Sequence, residues 1–146
     1  MKKTAYTMIA LLVLVGSMAV AANAQNNGRR LVATIPFQFN VGDKTLPAGE
    51  YSVAQVNPSS DRAVLQLCSK DGRSSVMVRM NDVIGKAPER AKLVFNRYGK
   101  QSYFAAAWID GDASGLQAQK SRAERATQRE LAALKAGREL VEVAAR

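Results

Sequence analysis

The chain has 146 residues, a formal charge of +9, a single cysteine and no histidine. One cysteine excludes an internal disulfide, so a hydrophobic core has to hold the fold unaided. The lack of histidine excludes Ser-His-Asp and Cys-His catalysis and removes the commonest zinc ligand.

The chain opens MKKTAYTMIALLVLVGSMAVAANAQ. Lys2 and Lys3 precede an apolar run from Met8 to Val20, and Ala22-Asn23-Ala24 supplies the small-x-small pattern of a cleavage site. This is the layout of a secretory signal peptide over residues 1–24. Its apolar part is shorter than the ~20 residues a spanning helix needs. Export to the periplasm or the outside, with cleavage near Ala24, is the expectation. The two lysines leave with the signal, so the charge falls from +9 to +7. That surplus favours acidic surfaces, although it is scattered along the chain as on a solvated surface.

After a short linker, residues 25–29, residues 30–112 read as an all-β domain, an antiparallel sandwich or small barrel of six or seven strands. In LVATIPFQFNV, residues 31–41, Leu31, Ala33, Ile35, Phe37, Phe39 and Val41 share one face, the period of a half-buried strand. Pro36 cannot donate to a ladder and marks an edge or a bulge. LPAGE, residues 46–50, resembles a sorting signal at a glance. It has glycine where that signal needs threonine and no apolar tail after it, so it reads as a hairpin turn leading to EYSVAQV, residues 50–56. AVLQLCS (63–69) and RSSVMVRM (73–80) flank Asp71-Gly72, and AKLVFNRY (91–98) and QSYFAAAWI (101–109) flank Gly99-Lys100; both pairs predict hairpins. Cys68, in an apolar run, reads as a buried structural thiol.

IPFQFNVGDKTLPAGEYSV, SSDRAVLQL, SKDGRSSVMV and KAPERAKLVFNRYG together resemble a family of small exported proteins abundant in acidobacterial genomes. The resemblance covers roughly residues 30–130 and includes KSRAERA near the C-terminus. It implies export and a compact β-domain, and it carries no assigned activity, ligand or catalytic residue.

DGDASG, residues 110–115, matches the first half of an EF-hand loop, but the twelfth position is Ser121 where a bidentate glutamate belongs. It reads as a polar turn, and neither a metal nor another cofactor is expected. Residues 113–146 read as a helical C-terminal extension, rich in Ala, Glu, Arg, Leu and Lys from Ala118 onward. Ser121 followed by Glu124 fits a capping box, and Gly137 reads as a kink or division. Leu131, Leu134 and Val141 form a thin apolar stripe, while Arg122, Arg125 and Arg129 line another face. The extension either docks through that stripe or projects toward a partner.

Aromatics supply the other candidate contact surface. Trp108 and Phe104 fall on one strand face, with Tyr98 nearby, and they serve as an interaction surface if the extension leaves them uncovered. The expected function is a non-enzymatic envelope binding or interaction protein, its β-domain a scaffold and its basic helix the contact. The partner is an envelope protein or an anionic envelope polymer, with nucleic acid disfavoured. Two alternatives remain: a structural protein self-associating through its C-terminal helix, and a hydrolase using a pair of the scattered Asp and Glu carboxylates.

Overall fold

The computed structural model describes residues 30–58, 60 and 62–146. The signal peptide, its cleavage site and the linker over residues 25–29 lie outside the described residues. The described chain is an all-β fold with one α-helix near its C-terminus.

The strands follow the apolar alternation closely in the first half. β1 (Arg30–Ile35) pairs antiparallel with β4 (Gly49–Gln55), and β4 pairs in turn with β5 (Val64–Ser69). β6 (Ser75–Ile84) joins β5 through the Asp71-Gly72 turn, where Gly72 takes φ +71. The Asp71 carboxylate accepts hydrogen bonds from the Ser69 hydroxyl and the Arg73 N–H, at 2.6 and 3.0 Å. These bonds, the Ser69 hydroxyl first, hold its carboxyl below the usual range. β7 (Lys92–Tyr98) and β8 (Gln101–Trp108) form the second expected hairpin, around Gly99 at φ +60.

Pro36 does end a ladder. Residues 31–41 are two strands, β1 and β2 (Phe39–Val41), and Pro36 lies between them. The chain changes partners there: β2 pairs with β3 (Lys44–Leu46) across Gly42-Asp43 and runs parallel to β8 at Asn40–Tyr103. LPAGE is therefore not a hairpin turn. It is the corner between β3 and β4, which do not pair with each other, and the Tyr51 hydroxyl clasps it by donating to the Pro47 carbonyl at 2.8 Å.

β6 is long enough to serve two partners. Ser75–Arg79 pair with β5, and Met80–Ile84 pair with β9 (Ser114–Ala118), which also pairs with β8. The ladders run β1-β4-β5-β6-β9-β8, with β2-β3 and β7 as further neighbours of β8. Among the described residues there are ten strands rather than six or seven, and the pairing is mixed rather than purely antiparallel.

The C-terminal region departs furthest from expectation. Residues 113–146 are not one helical extension: they contain β9, the helix α1 (Arg122–Ala133) and β10 (Glu139–Ala144). β10 pairs with the free side of β7 over six residues, Glu139–Arg97 to Ala144–Lys92. Its end meets β1 at a single bridge, Ala33–Ala145, flanked by reciprocal backbone hydrogen bonds between Val32 and Arg146 of 2.8 and 3.0 Å. The ladder stops there, so the curled sheet remains unclosed, as in a sandwich. Val141 and Val143 face the core from β10.

The core is built on an edge-to-face aromatic chain. Phe39 meets Tyr51 and Phe95 at 5.2 and 5.3 Å, and Phe95 meets Phe37 and Phe104 at 5.2 and 5.8 Å. Each such pair adds about 0.5–1.5 kcal/mol beyond its buried area. Ile35, Leu67 and Leu93 fill the remaining space with no exposure. Cys68 is not in this core: it lies half-buried on the opposite face of β5, beside Ser52 of β4.

Candidate functional site

α1 lies on the outer face of the β7–β8 hairpin, held by polar contacts. Its N-cap is Ser121, whose hydroxyl accepts the Glu124 N–H at 3.1 Å. The Glu124 side chain does not complete a capping box. It turns to the sheet, is 3% exposed, and its Oε1 accepts from Asn96 Nδ2 at 2.8 Å and the Tyr98 hydroxyl at 3.1 Å. Burial and the neighbouring Glu124 carboxylate push the Tyr98 hydroxyl up to about 12, opposed by the Arg138 guanidinium. One turn along α1, the Thr127 hydroxyl lies 2.9 Å from that of Tyr103, which donates to Gln101 Oε1 at 2.7 Å. Tyr98 and Tyr103 pack edge-on beneath the helix.

The docking face of α1 is thus Glu124, Thr127 and Leu131, spaced as one side of a helix. Of the expected apolar stripe, Leu131 alone lies half-buried on that face. Leu134 is 75% exposed at the helix end, and Val141 belongs to β10. The helix stops before Gly137, because Lys135 turns left-handed at φ +55 and the Ala136 N–H closes back on the Leu131 carbonyl.

At 100° per residue, Arg122, Arg125 and Arg129 fall within about 60° of one another, opposite the docking face. All three are exposed, and among the described residues none of their side chains joins an ion pair or a hydrogen bond. Their charges are presented outward from a helix anchored on its other side.

The aromatic candidates separate. Tyr98 is 2% exposed under α1, and Phe104 is buried in the core. A register shift between Val94 and Phe95 makes Ala105 an extra residue in β8, so Phe104 and Ala107 both point inward. Trp108 therefore does not share a face with Phe104. It lies part-exposed on the outer face, at the end of β8 away from α1.

An open cleft of about 650 Å³ lies at the β1–β10 seam. Arg30, Arg90, Arg146, Glu89 and Asp110 line it above Leu31, Ala91, Ile109 and Ala145. Both signs of charge are present, so it selects no one charge of ligand. Asp112 of the DGDASG loop accepts the Ser114 N–H at 2.8 Å, the bond of a tight polar turn. Among the described residues no group of three or more Cys, Asp or Glu is placed to hold a metal. No protein-family model matches the chain, and no curated protein or solved structure matches it.

Proposed function

We propose that this chain is an exported, non-enzymatic binding protein of the cell envelope that engages an anionic envelope polymer through α1. The observation that carries the reading is the unpaired trio Arg122, Arg125 and Arg129 on the outward face of a helix whose inward face is anchored by buried Glu124. Arginine forks suit carboxylate and phosphate groups, and a docked helix presents them with no backbone left to order on binding. The signal-peptide layout and the family resemblance support export.

The test is retention of the protein on an immobilised uronic-acid polymer across a salt gradient. Salt-sensitive retention that is lost when all three arginines become glutamine supports the reading. Retention unchanged in that variant removes the helix as the contact. Self-association is favoured by one observation, the exposure of Leu134 and Leu140 at the two ends of the α1–β10 connection. A mass that rises with concentration and falls to monomer in the L134S/L140S variant would support this second reading.

A further inference from the structure

The outer face of the sheet beyond α1 carries a feature that the arginine face does not use. The registers place Val83, Gly115, Trp108, Lys92 and Ala144 in one row across β6, β9, β8, β7 and β10. A Cβ on Gly115 would stand 2.7 Å from Trp108 Cδ2 and Cε3, and one on Gly85 would stand 2.6 Å from Cη2. The indole therefore lies along the backbone of both glycines, from its ring junction to the tip of its six-membered ring. Neither glycine takes a positive φ, so the backbone conformation does not require glycine at either place. What requires it is the flat ring.

Glycine inside a strand weakens the strand and marks a close approach. Here the group approaching is a tryptophan outside the core cluster, in no aromatic pair among the described residues, at the end of β8 away from the helix. The adjacent row across the same strands is Asn81, Gln117, Ala106, Val94 and Glu142. Asn81 and Gln117 are exposed, and their side-chain amides have no hydrogen-bond partner among the described residues. Lys92 and Glu142 are ion-paired at 2.6 Å.

We propose that Trp108 is a stacking platform for a neutral glycan built of all-equatorial pyranoses, such as β-linked glucose or N-acetylglucosamine. Such a ring has a flat C–H face that an indole matches, and its hydroxyls radiate in the ring plane. The amides of Asn81 and Gln117, the Glu142 carboxylate and the Lys92 ammonium supply both donors and acceptors at that level. A nucleic acid would call for a track of cations beside the aromatic. A membrane would call for a wide apolar surround, and here Asn81, Gln117, Lys92 and Glu142 stand in the two rows beside Val83 and Val94. Exposed Ile84 belongs to the opposite face of β6 by strand alternation.

Trp108 is the chain's single tryptophan, so its emission reports on this site without a label. Full-length protein is titrated with cellohexaose and with chitohexaose, following emission and, in parallel, heat. The expected result is a saturable change in emission that does not depend on salt, with affinity about tenfold weaker in Trp108→Ala and less so in Trp108→Phe. Gly115→Ala forces a methyl group under the ring, and Gly85→Ala does so from the other end. Each should weaken binding with the strand spectrum retained, and either variant serves if the other fails to fold. Silence with both sugars overturns the proposal, as does full affinity in Trp108→Ala. So does an emission shift on simple dilution, which would mean that a second copy covers the ring, or a response confined to anionic vesicles.

Discussion

Replacing Glu124 by alanine tests the anchoring of α1 most directly. The substitution strands two donors beneath the helix, Asn96 Nδ2 and the Tyr98 hydroxyl, both of which point at the same carboxylate oxygen. A buried group left without its partner costs about 1–3 kcal/mol. Loss of a negative charge from the first turn adds about 0.3–1 kcal/mol, and alanine's higher helix propensity returns a few tenths. Water reaching the donors as the helix loosens keeps the total near the lower end, about 2–4 kcal/mol. Glu124→Gln keeps an acceptor oxygen and loses the charge, so about 1 kcal/mol is expected there. Urea unfolding gives the totals, and native-state hydrogen exchange of the α1 amides shows whether the loss is local. A Glu124→Ala variant within about 0.5 kcal/mol of the parent, or one whose α1 protection is unchanged, would refute the anchoring role.

Four other tests follow from the same structure. Tyr98, pushed up to about 12 in the fold from 10 when exposed, contributes nothing to pH dependence below 10. Above pH 10 the unfolded chain ionises first, so stability falls by about 1.4 kcal/mol per unit until the folded hydroxyl also ionises. The urea midpoint followed from pH 9 to pH 12 (about the accessible range) should therefore fall more steeply in the parent than in Tyr98→Phe. Lys135→Gly should raise stability by about 0.5 kcal/mol, because the left-handed turn at φ +55 suits glycine, and thermal unfolding reads the sign. Val143→Asp places a charge against the core where β10 meets Leu93, and loss of the cooperative unfolding transition is expected. Cys68, half-buried on an outer face, should react with a maleimide in the native protein, and labelling only after unfolding would contradict its placement.

The elements that the sequence predicted well are those whose signal is local. Period-two alternation marked β1, and Asp71-Gly72 and Gly99-Lys100 marked the β5–β6 and β7–β8 hairpins, because turn chemistry acts within four residues. LPAGE misled for the same reason: Pro47 and Gly49 announce a bend, and whether the flanking strands then pair depends on distant partners, β1 for β4 and β2 for β3. Strict alternation through QSYFAAAWI put Phe104 with Trp108. One extra residue at Ala105 reverses that parity, and nothing in a run of alanines reports a bulge. For α1, a search for an apolar stripe selected Leu131, Leu134 and Val141. The true docking face leads with a glutamate, whose partners Asn96 and Tyr98 lie more than twenty residues away.

The C-terminal strand shows how charge can hide a strand. ELVEVAA carries glutamates at a helix-compatible spacing and sits downstream of a strong helix former. Yet Val141, Val143 and Ala145 alternate with Leu140, Glu142 and Ala144 at period two, and the two valines are β-branched. β7 needed a partner on its free side, and this segment supplies six paired residues. The consequence for function is direct. β9 and β10 flank α1 in sequence and both belong to the sheet, so removing residues 116–146 takes away three of the five residues of β9 and all of β10 with the helix. Loss of binding in such a truncation would report a damaged fold and say nothing about the contact. The arginine face and the Trp108 shelf have to be separated by side-chain substitution. They lie at opposite ends of the β7–β8 hairpin and on different chemistry, so salt should weaken the first and leave the second unchanged.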